Sequence, residues 1–176
     1  MEYYKEEYLI KTQAQKQKTL KIYFITLAVY FVISIALFVA FKFQIYQSPN
    51  IKTIKFVHYT ISVIFTFYTF VYLGIKYRRV KCYFKALHNI KVGIRETYEA
   101  EFLGYKNTSE TNNGVEYKAL LFKEWNKYKK DYYKRKVLVF NELPFPELIE
   151  GKMVRFVTQS NTLVEYEYIE EKNQNE

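Results

Sequence analysis

The sequence predicts a membrane α-helical hairpin joined to a small all-β domain, a five-stranded, partly open barrel of the OB or SH3-like kind. Two observations predict the hairpin. Ile22–Phe41 and Phe56–Ile75 are apolar runs without Asp, Glu, Lys or Arg, and about twenty apolar residues span the hydrocarbon core of a bilayer, which is about 30 Å thick. A third observation predicts the β-domain: after Ile94 the apolar residues recur with a period of two, between short turn segments.

The predicted spans divide the chain into segments of different composition. The net charge is +9, yet the residues from 94 onwards hold 13 basic and 15 acidic side chains, so the positive charge lies beside the spans. A nearly neutral soluble domain argues against a nucleic-acid binder. In chain order we expect a cytoplasmic N-terminal segment, a two-helix transmembrane hairpin with spans at 22–41 and 56–75, a juxtamembrane helix, a β-barrel-like domain and a disordered tail: 1–21, 22–75, 76–92, 93–169 and 170–176.

The topology follows from the basic residues that flank the spans, because Lys and Arg are enriched on the cytoplasmic side. Five lysines precede the first span and six Lys or Arg residues follow the second, whereas the loop Lys42–Lys55 has three. We therefore expect a multi-pass protein of the plasma membrane with both termini in the cytoplasm. The single cysteine, Cys82, excludes an intramolecular disulfide and leaves palmitoylation open.

Hydroxyl side chains form one stripe along each predicted span, at helical spacing. Lipid gives no hydrophobic force between helices, so small and hydroxyl residues mark packing faces. We expect these stripes to pack the two spans together or to contact another copy of the chain. They consist of Thr26, Tyr30 and Ser34 in the first span and Tyr59, Ser62, Thr66 and Thr69 in the second.

The segment 76–92 reads as a basic amphipathic helix directly after the second span. Its apolar residues recur at helical spacing, and its other face is basic without a carboxylate. Such a helix lies on the inner leaflet, where anionic lipids attract its cations. A simple anchor and a specific lipid sensor remain open as roles. The predicted membrane-surface contacts are Arg78, Arg79, Lys81, Lys85 and Lys91.

The β-domain is predicted from short alternating runs separated by turn residues. The polar stretch Asn107–Gly114 ends in Asn-Asn-Gly, which predicts a turn, and Gln159–Asn161 predicts a second, tighter one. Arg155 is expected to face Glu165 or Glu167 across strands four and five. The five predicted strands are 97–104, 115–122, 136–140, 153–158 and 162–169, and residues 123–136 interrupt the alternation.

This interruption, Lys123–Lys136, is rich in both cations and aromatic rings. Such a mixture is typical of surfaces that contact phosphates and bases or lipid headgroups; a solvated connector that packs on the barrel is the alternative. The predicted ligand or headgroup contacts are Trp125, Lys127, Lys129, Lys130, Lys134 and Arg135. Phe145, in the loop Leu143–Pro146, is the predicted contact for a protein partner.

No catalytic, cofactor or metal motif is recognisable in the sequence. Two histidines and one cysteine are scattered along the chain, and five glycines are too few for the glycine-rich phosphate-binding loops. The sequence therefore predicts a protein that is not an enzyme and binds no cofactor.

The chain resembles small uncharacterised bacterial membrane proteins with two N-terminal transmembrane helices and a C-terminal cytosolic β-domain. The resemblance is carried by the motifs Glu124–Asn126, Arg135–Val139, Pro144–Glu147 and Met153–Thr158. NfeD-type proteins share the order of spans followed by an OB barrel. The resemblance implies a fold and a location, and no activity.

Two functions are compatible with these observations. The first is an adaptor or accessory subunit that presents the β-domain to an unknown protein partner at the inner leaflet. The second is a sensor that binds an anionic ligand, either a nucleotide or a lipid headgroup, through residues 123–136 and reports it by forming a homo-oligomer.

Overall fold

The computed structural model describes residues 3–44, 48, 50–126, 128 and 130–169. It confirms the predicted order of two long apolar helices followed by a mostly β region. The chain divides into two compact units: the helical unit is Thr12–Lys81, and the other unit, here called the β-domain unit, comprises Met1–Lys11 and Cys82–Glu176. The predicted disordered tail, residues 170–176, lies outside the described residues, as does Pro49 in the loop between the spans.

Three α-helices precede the strands: α1 is Glu6–Lys42, α2 is Asn50–Val71 and α3 is Arg78–Val92. A π-helical segment, Tyr72–Tyr77, connects α2 to α3. Two helical stretches, α1 and the run from α2 through α3, are long and apolar enough to cross a bilayer by length and composition. Both exceed the apolar runs in length, because the flanking Lys- and Gln-rich residues are good helix formers and include no proline.

The polar stripes account for part of the packing between α1 and α2. Tyr30 of α1 places its hydroxyl 3.0 Å from the hydroxyl of Ser62 in α2, and its ring stacks on Phe65 with the centroids 4.1 Å apart. Thr26 and Thr66 instead donate to the carbonyl four residues earlier in their own helix. The stripe is therefore partly an interhelical contact and partly self-satisfied threonine.

The β-domain contains five strands that form one sheet: β1 is Glu96–Asn112, β2 Val115–Asn126, β3 Asp131–Phe140, β4 Met153–Gln159 and β5 Thr162–Tyr168. The strand order is β1-β2-β3-β5-β4, and β1 also pairs with β4, so the sheet curls into a ring. All these pairs are antiparallel except β3 with β5, whose contact is the single parallel pair Leu138 with Thr162.

The strands are longer than the alternation predicts. β1 continues through the predicted turn to Asn112, and the reversal occurs at Asn113 and Gly114, both at positive φ. Register shifts after Phe102 and after Lys106 interrupt the pairing of β1 with β2, so the period-two signal is lost while the strand continues. The predicted break at 123–136 is also incorrect, because β2 and β3 extend through most of it.

Aromatic rings fill the interior of the curled sheet. Phe102, Phe122 and Phe156 are fully buried, and the Phe122 and Phe156 rings stack with centroids 4.1 Å apart. Arg155 pairs with Glu167, as one of its two predicted cross-strand partners, with their charged atoms 2.8 Å apart. The predicted inward positions of β4 and β5 thus produce the core that holds the domain together.

A second buried cluster lies between α3 and the outside of the sheet, within the β-domain unit. Leu87 and Ile90 of α3 are fully buried there, together with Val115 and Phe140. The apolar side of α3 at these positions is covered by protein, so it is not the lipid-facing surface that the amphipathic pattern indicated. Cys82 is half-buried in the same cluster.

Candidate functional site

The most distinctive surface is the end of the β2–β3 hairpin. β1 pairs with β2 only as far as Glu101 with Lys123, whereas β2 and β3 stay paired to Asn126 with Asp131. The hairpin therefore continues as a two-stranded ribbon beyond the rest of the sheet. We call residues 123–126 and 131–136 the β2–β3 ribbon.

The two faces of the ribbon differ, because side chains alternate along a strand. Phe122 and Val137 are fully buried in the core, so their immediate neighbours in sequence point outwards. The outward face carries three lysines and two aromatic rings: Lys123, Trp125, Tyr132, Lys134 and Lys136. Sheet register brings these cations and rings together on one surface.

Aromatic contacts organise the outward face. Trp125 and Tyr132 are cross-strand partners, and their rings meet edge to face with the centroids 4.9 Å apart. The Lys123 ammonium lies 4.8 Å from the centroid of the Tyr132 ring, within the range of a cation–π contact. Trp125 is nevertheless 48% exposed and Tyr132 is 57% exposed, so both rings present area to a partner.

The lysines of this face differ in how far they are neutralised. Lys123 is 3.3 Å from Glu101, and Lys136 is 3.0 Å from Glu110. Hydrogen bonds from Lys106 and Lys136 hold the pKa of Glu110 below its usual range. Lys134, by contrast, makes no ion pair among the residues that the structure describes, and its charge is available to an anion.

Arg135 lies on the other face of the ribbon and serves the fold. Its guanidinium carbon is 3.6 Å from the centroid of the Tyr98 ring. One terminal nitrogen donates to Glu124 at 3.0 Å and the other to Asn161 at 3.1 Å. Tyr133 donates to the same Glu124 carboxylate at 2.7 Å. Arg135 therefore ties β3 to neighbouring strands rather than pointing into the basic face.

The other predicted ribbon contacts are less defined. Lys130 lies in the hairpin turn at φ +50° and makes no ion pair within the described part of the chain. Lys127 and Lys129 lie outside the described residues. The structure thus brings Trp125 and Lys134 together, adds Lys123 and Tyr132 as their neighbours, and separates Arg135. Strand register decides these neighbours, and no local sequence signal predicted it.

The predicted membrane-surface residues fall in both units. Arg78, Arg79 and Lys81 belong to the helical unit, whereas Lys85 and Lys91 belong to the β-domain unit. The ammonium of Lys91 forms an ion pair with Glu6 at the start of α1, which raises its pKa. Lys91 is therefore partly neutralised within the β-domain unit, and the contact of the five residues with lipid remains a prediction.

Phe145, the predicted partner contact, is half-buried against the core. Its ring centroid is 4.9 Å from that of Tyr105, and the Lys118 ammonium lies 5.0 Å from the Phe145 centroid. The Tyr105 hydroxyl accepts from the backbone nitrogen of Leu148 at 2.7 Å and lies 2.9 Å from the Pro146 carbonyl oxygen. Phe145 thus helps to dock this loop on the sheet and offers only part of its ring to a partner.

We expect the substitution Tyr105→Phe to loosen this loop. It removes the acceptor of the Leu148 backbone N–H, and an unsatisfied buried amide costs about 1–3 kcal/mol. Proteolysis by an endoproteinase specific for glutamate should accelerate at Glu147 and Glu150, both of which are exposed. Tyr132→Phe is the matched control, since its ring is more than half exposed; equal cleavage of the two variants would contradict the loop-anchoring role of Tyr105.

Comparison with known proteins gives no relative from which a function could be transferred. No protein-family model matches the chain, and neither the curated proteins nor the solved structures contain a match. The function therefore has to be inferred from the residues and geometry described above.

Proposed function

We propose that this chain is a non-enzymatic integral protein of the plasma membrane, with α1 and α2 as a transmembrane hairpin and both termini in the cytoplasm. The support is the apolar length of the helices together with the charge around them. The helical unit, Thr12–Lys81, contains no aspartate or glutamate, and its basic residues lie outside the two apolar runs. Charges placed in this way suit a bilayer, whose hydrocarbon core strongly disfavours ions.

The β-domain in this proposal is a small barrel of the OB kind, as in the NfeD-type architecture. The support is the strand order β1-β2-β3-β5-β4, in which β1 pairs with both β2 and β4 and the contact of β3 with β5 is minimal. OB barrels are partly open, and they bind their ligands largely through the face of strands two and three. The β2–β3 ribbon extends those two strands.

The proposed role of the domain is that of an adaptor or accessory subunit at the inner leaflet, with the β2–β3 ribbon as its contact surface. The observation that carries this role is the exposed pair Trp125 and Tyr132 beside Lys123 and Lys134. Aromatic side chains are enriched at protein interfaces, and unneutralised lysines select an acidic partner. Because the ribbon projects past the sheet, a partner reaches both of its edges.

A second candidate function is a membrane-anchored sensor of an anionic ligand. Lys134 favours it, because its ammonium has no ion-pair partner among the described residues and lies on the same face as an exposed tryptophan. A nucleotide would stack its base on Trp125 and place its phosphate near Lys134; a lipid headgroup would use the same cation. A second copy of the chain, formed in response to the ligand, would then transmit the signal.

Membrane insertion is tested by alkaline carbonate extraction of membranes that contain the full chain with a C-terminal tag. We expect the chain to remain in the pellet and to leave it only with detergent. Protease added to intact spheroplasts should leave the tag intact, since both termini are cytoplasmic in the proposal. Release by carbonate would contradict the hairpin, and loss of the tag in intact spheroplasts would contradict the orientation.

A further inference from the structure

A groove lies between the loop-side ends of α1 and α2, within the helical unit. Its volume is about 270 Å³, and the residues around it include Leu37, Phe38, Phe41, Ile54, Lys55 and Tyr59. The first three belong to the last turns of α1 and the others to the first turns of α2. Apolar side chains thus form most of the surface of this groove.

Two cations lie at the edge of the groove. The Lys55 ammonium is 5.4 Å from the centroid of the Phe41 ring, and the Lys42 ammonium is 5.6 Å from the centroid of Phe38. Both rings line the groove. The side chains of these lysines therefore fold back over its apolar lining.

No carboxylate of the helical unit neutralises these two cations. Residues 12–81 contain no Asp or Glu, and the loop 42–55 contains three lysines. An apolar groove with uncompensated positive charge at its edge is complementary to a molecule with an apolar chain and an anionic head. Free phosphate would satisfy the charge and leave the apolar lining unused.

We propose that this groove binds one anionic phospholipid, with an acyl chain against Leu37, Phe41 and Ile54 and its phosphate contacted by Lys42 and Lys55. The inference rests on the proposed insertion of α1 and α2 in a bilayer. It goes beyond that proposal, because it assigns a specific lipid site at the loop end of the hairpin, separate from the basic residues of α3. Each ammonium near a membrane surface strengthens binding of an anionic lipid by about fivefold.

The test is native mass spectrometry of the full chain in detergent micelles that contain equal amounts of palmitoyl-oleoyl phosphatidylglycerol and phosphatidylcholine. The unsubstituted chain should retain one phosphatidylglycerol in preference to phosphatidylcholine. The double variant Lys42→Gln/Lys55→Gln should lower the phosphatidylglycerol affinity at least about tenfold, as expected for two lost ammonium groups. Lys52→Gln is the matched control, because Lys52 is an exposed lysine of the same loop that does not line the groove.

Three results would overturn the lipid site. Equal retention of the two lipids by the unsubstituted chain would show that no anionic site exists. An equal loss of affinity in Lys52→Gln would show general charge attraction, and displacement of phosphatidylglycerol by millimolar inorganic phosphate would show a simple anion site. Failure of the membrane proposal is distinguishable, because the chain would then be released by carbonate; retention in the pellet without lipid preference rejects the groove alone.

Discussion

Replacing Phe156 with alanine is expected to unfold the β-domain. The Phe156 side chain is fully buried and stacks on Phe122 with ring centroids 4.1 Å apart. Removing a buried phenylalanine ring costs about 3–5 kcal/mol, and a small domain has a total stability of about 5–15 kcal/mol. A domain at the lower end of that range loses nearly all of its stability with this single change.

The measurement is urea unfolding of the detergent-solubilised full chain, followed by fluorescence. Trp125 is the only tryptophan and lies on β2, so its emission reports directly on the β-domain. The control is Ile94→Ala, since Ile94 is 85% exposed and should leave the urea midpoint unchanged. Equal midpoints for Phe156→Ala and the unsubstituted chain would contradict the ring-filled core.

Charge reversal in the β2–β3 hairpin is the second change with a large expected effect. In the double variant Lys130→Glu/Lys134→Glu, neither lysine has an ion-pair partner among the described residues, so the fold should persist. Capture of an acidic partner should fall at least about tenfold, because like charges placed opposite each other at an interface cost several kcal/mol. The measurement is quantitative mass spectrometry of proteins that co-purify with the tagged chain from crosslinked membranes.

Lys152→Glu is the matched control for this charge reversal. Lys152 is an exposed lysine of the β-domain outside the ribbon, and its ammonium lies 5.8 Å from the centroid of the Tyr168 ring. We expect normal capture with this variant. Equal capture by the control and the double variant would exclude the ribbon as the charged contact surface and would return attention to the loop around Phe145.

The sequence predicts most of the architecture because membrane-type helices and half-buried strands have strong periodic signals. The apolar runs in α1 and α2 and the alternation at Val154 and Phe156 depend on one buried face or on uniform burial, and both are visible in the residue order. The turn after Gln159 was likewise predictable, since Ser160 and Asn161 both adopt positive φ, which turn residues tolerate.

The ribbon could not be predicted in this way. Beyond Lys123 both faces of the hairpin lack a sheet to cover them, so polar and aromatic residues occupy both faces and the apolar alternation disappears. The grouping of Trp125 with Tyr132 depends on strand register, and the link from Arg135 to Tyr98 depends on the curl of the sheet. Neither is encoded in local spacing.

The amphipathic pattern of α3 is ambiguous for a related reason. An apolar helix face is equally suited to lipid and to the outside of a sheet, and the burial of Leu87 and Ile90 beside Val115 shows that protein covers it here. Only the tertiary structure distinguishes these two environments.

The central claim, that the β2–β3 ribbon is the contact surface of a membrane-anchored adaptor, is tested most directly by site-specific photo-crosslinking in native membranes. Benzoylphenylalanine would replace Tyr132 on the outward face of the ribbon and, in a separate variant, Ile149 in the loop after β3, which is similarly exposed. The account predicts one abundant crosslinked partner from position 132 and none from position 149. Absence of an adduct at 132, or the same adducts from both positions, would contradict it.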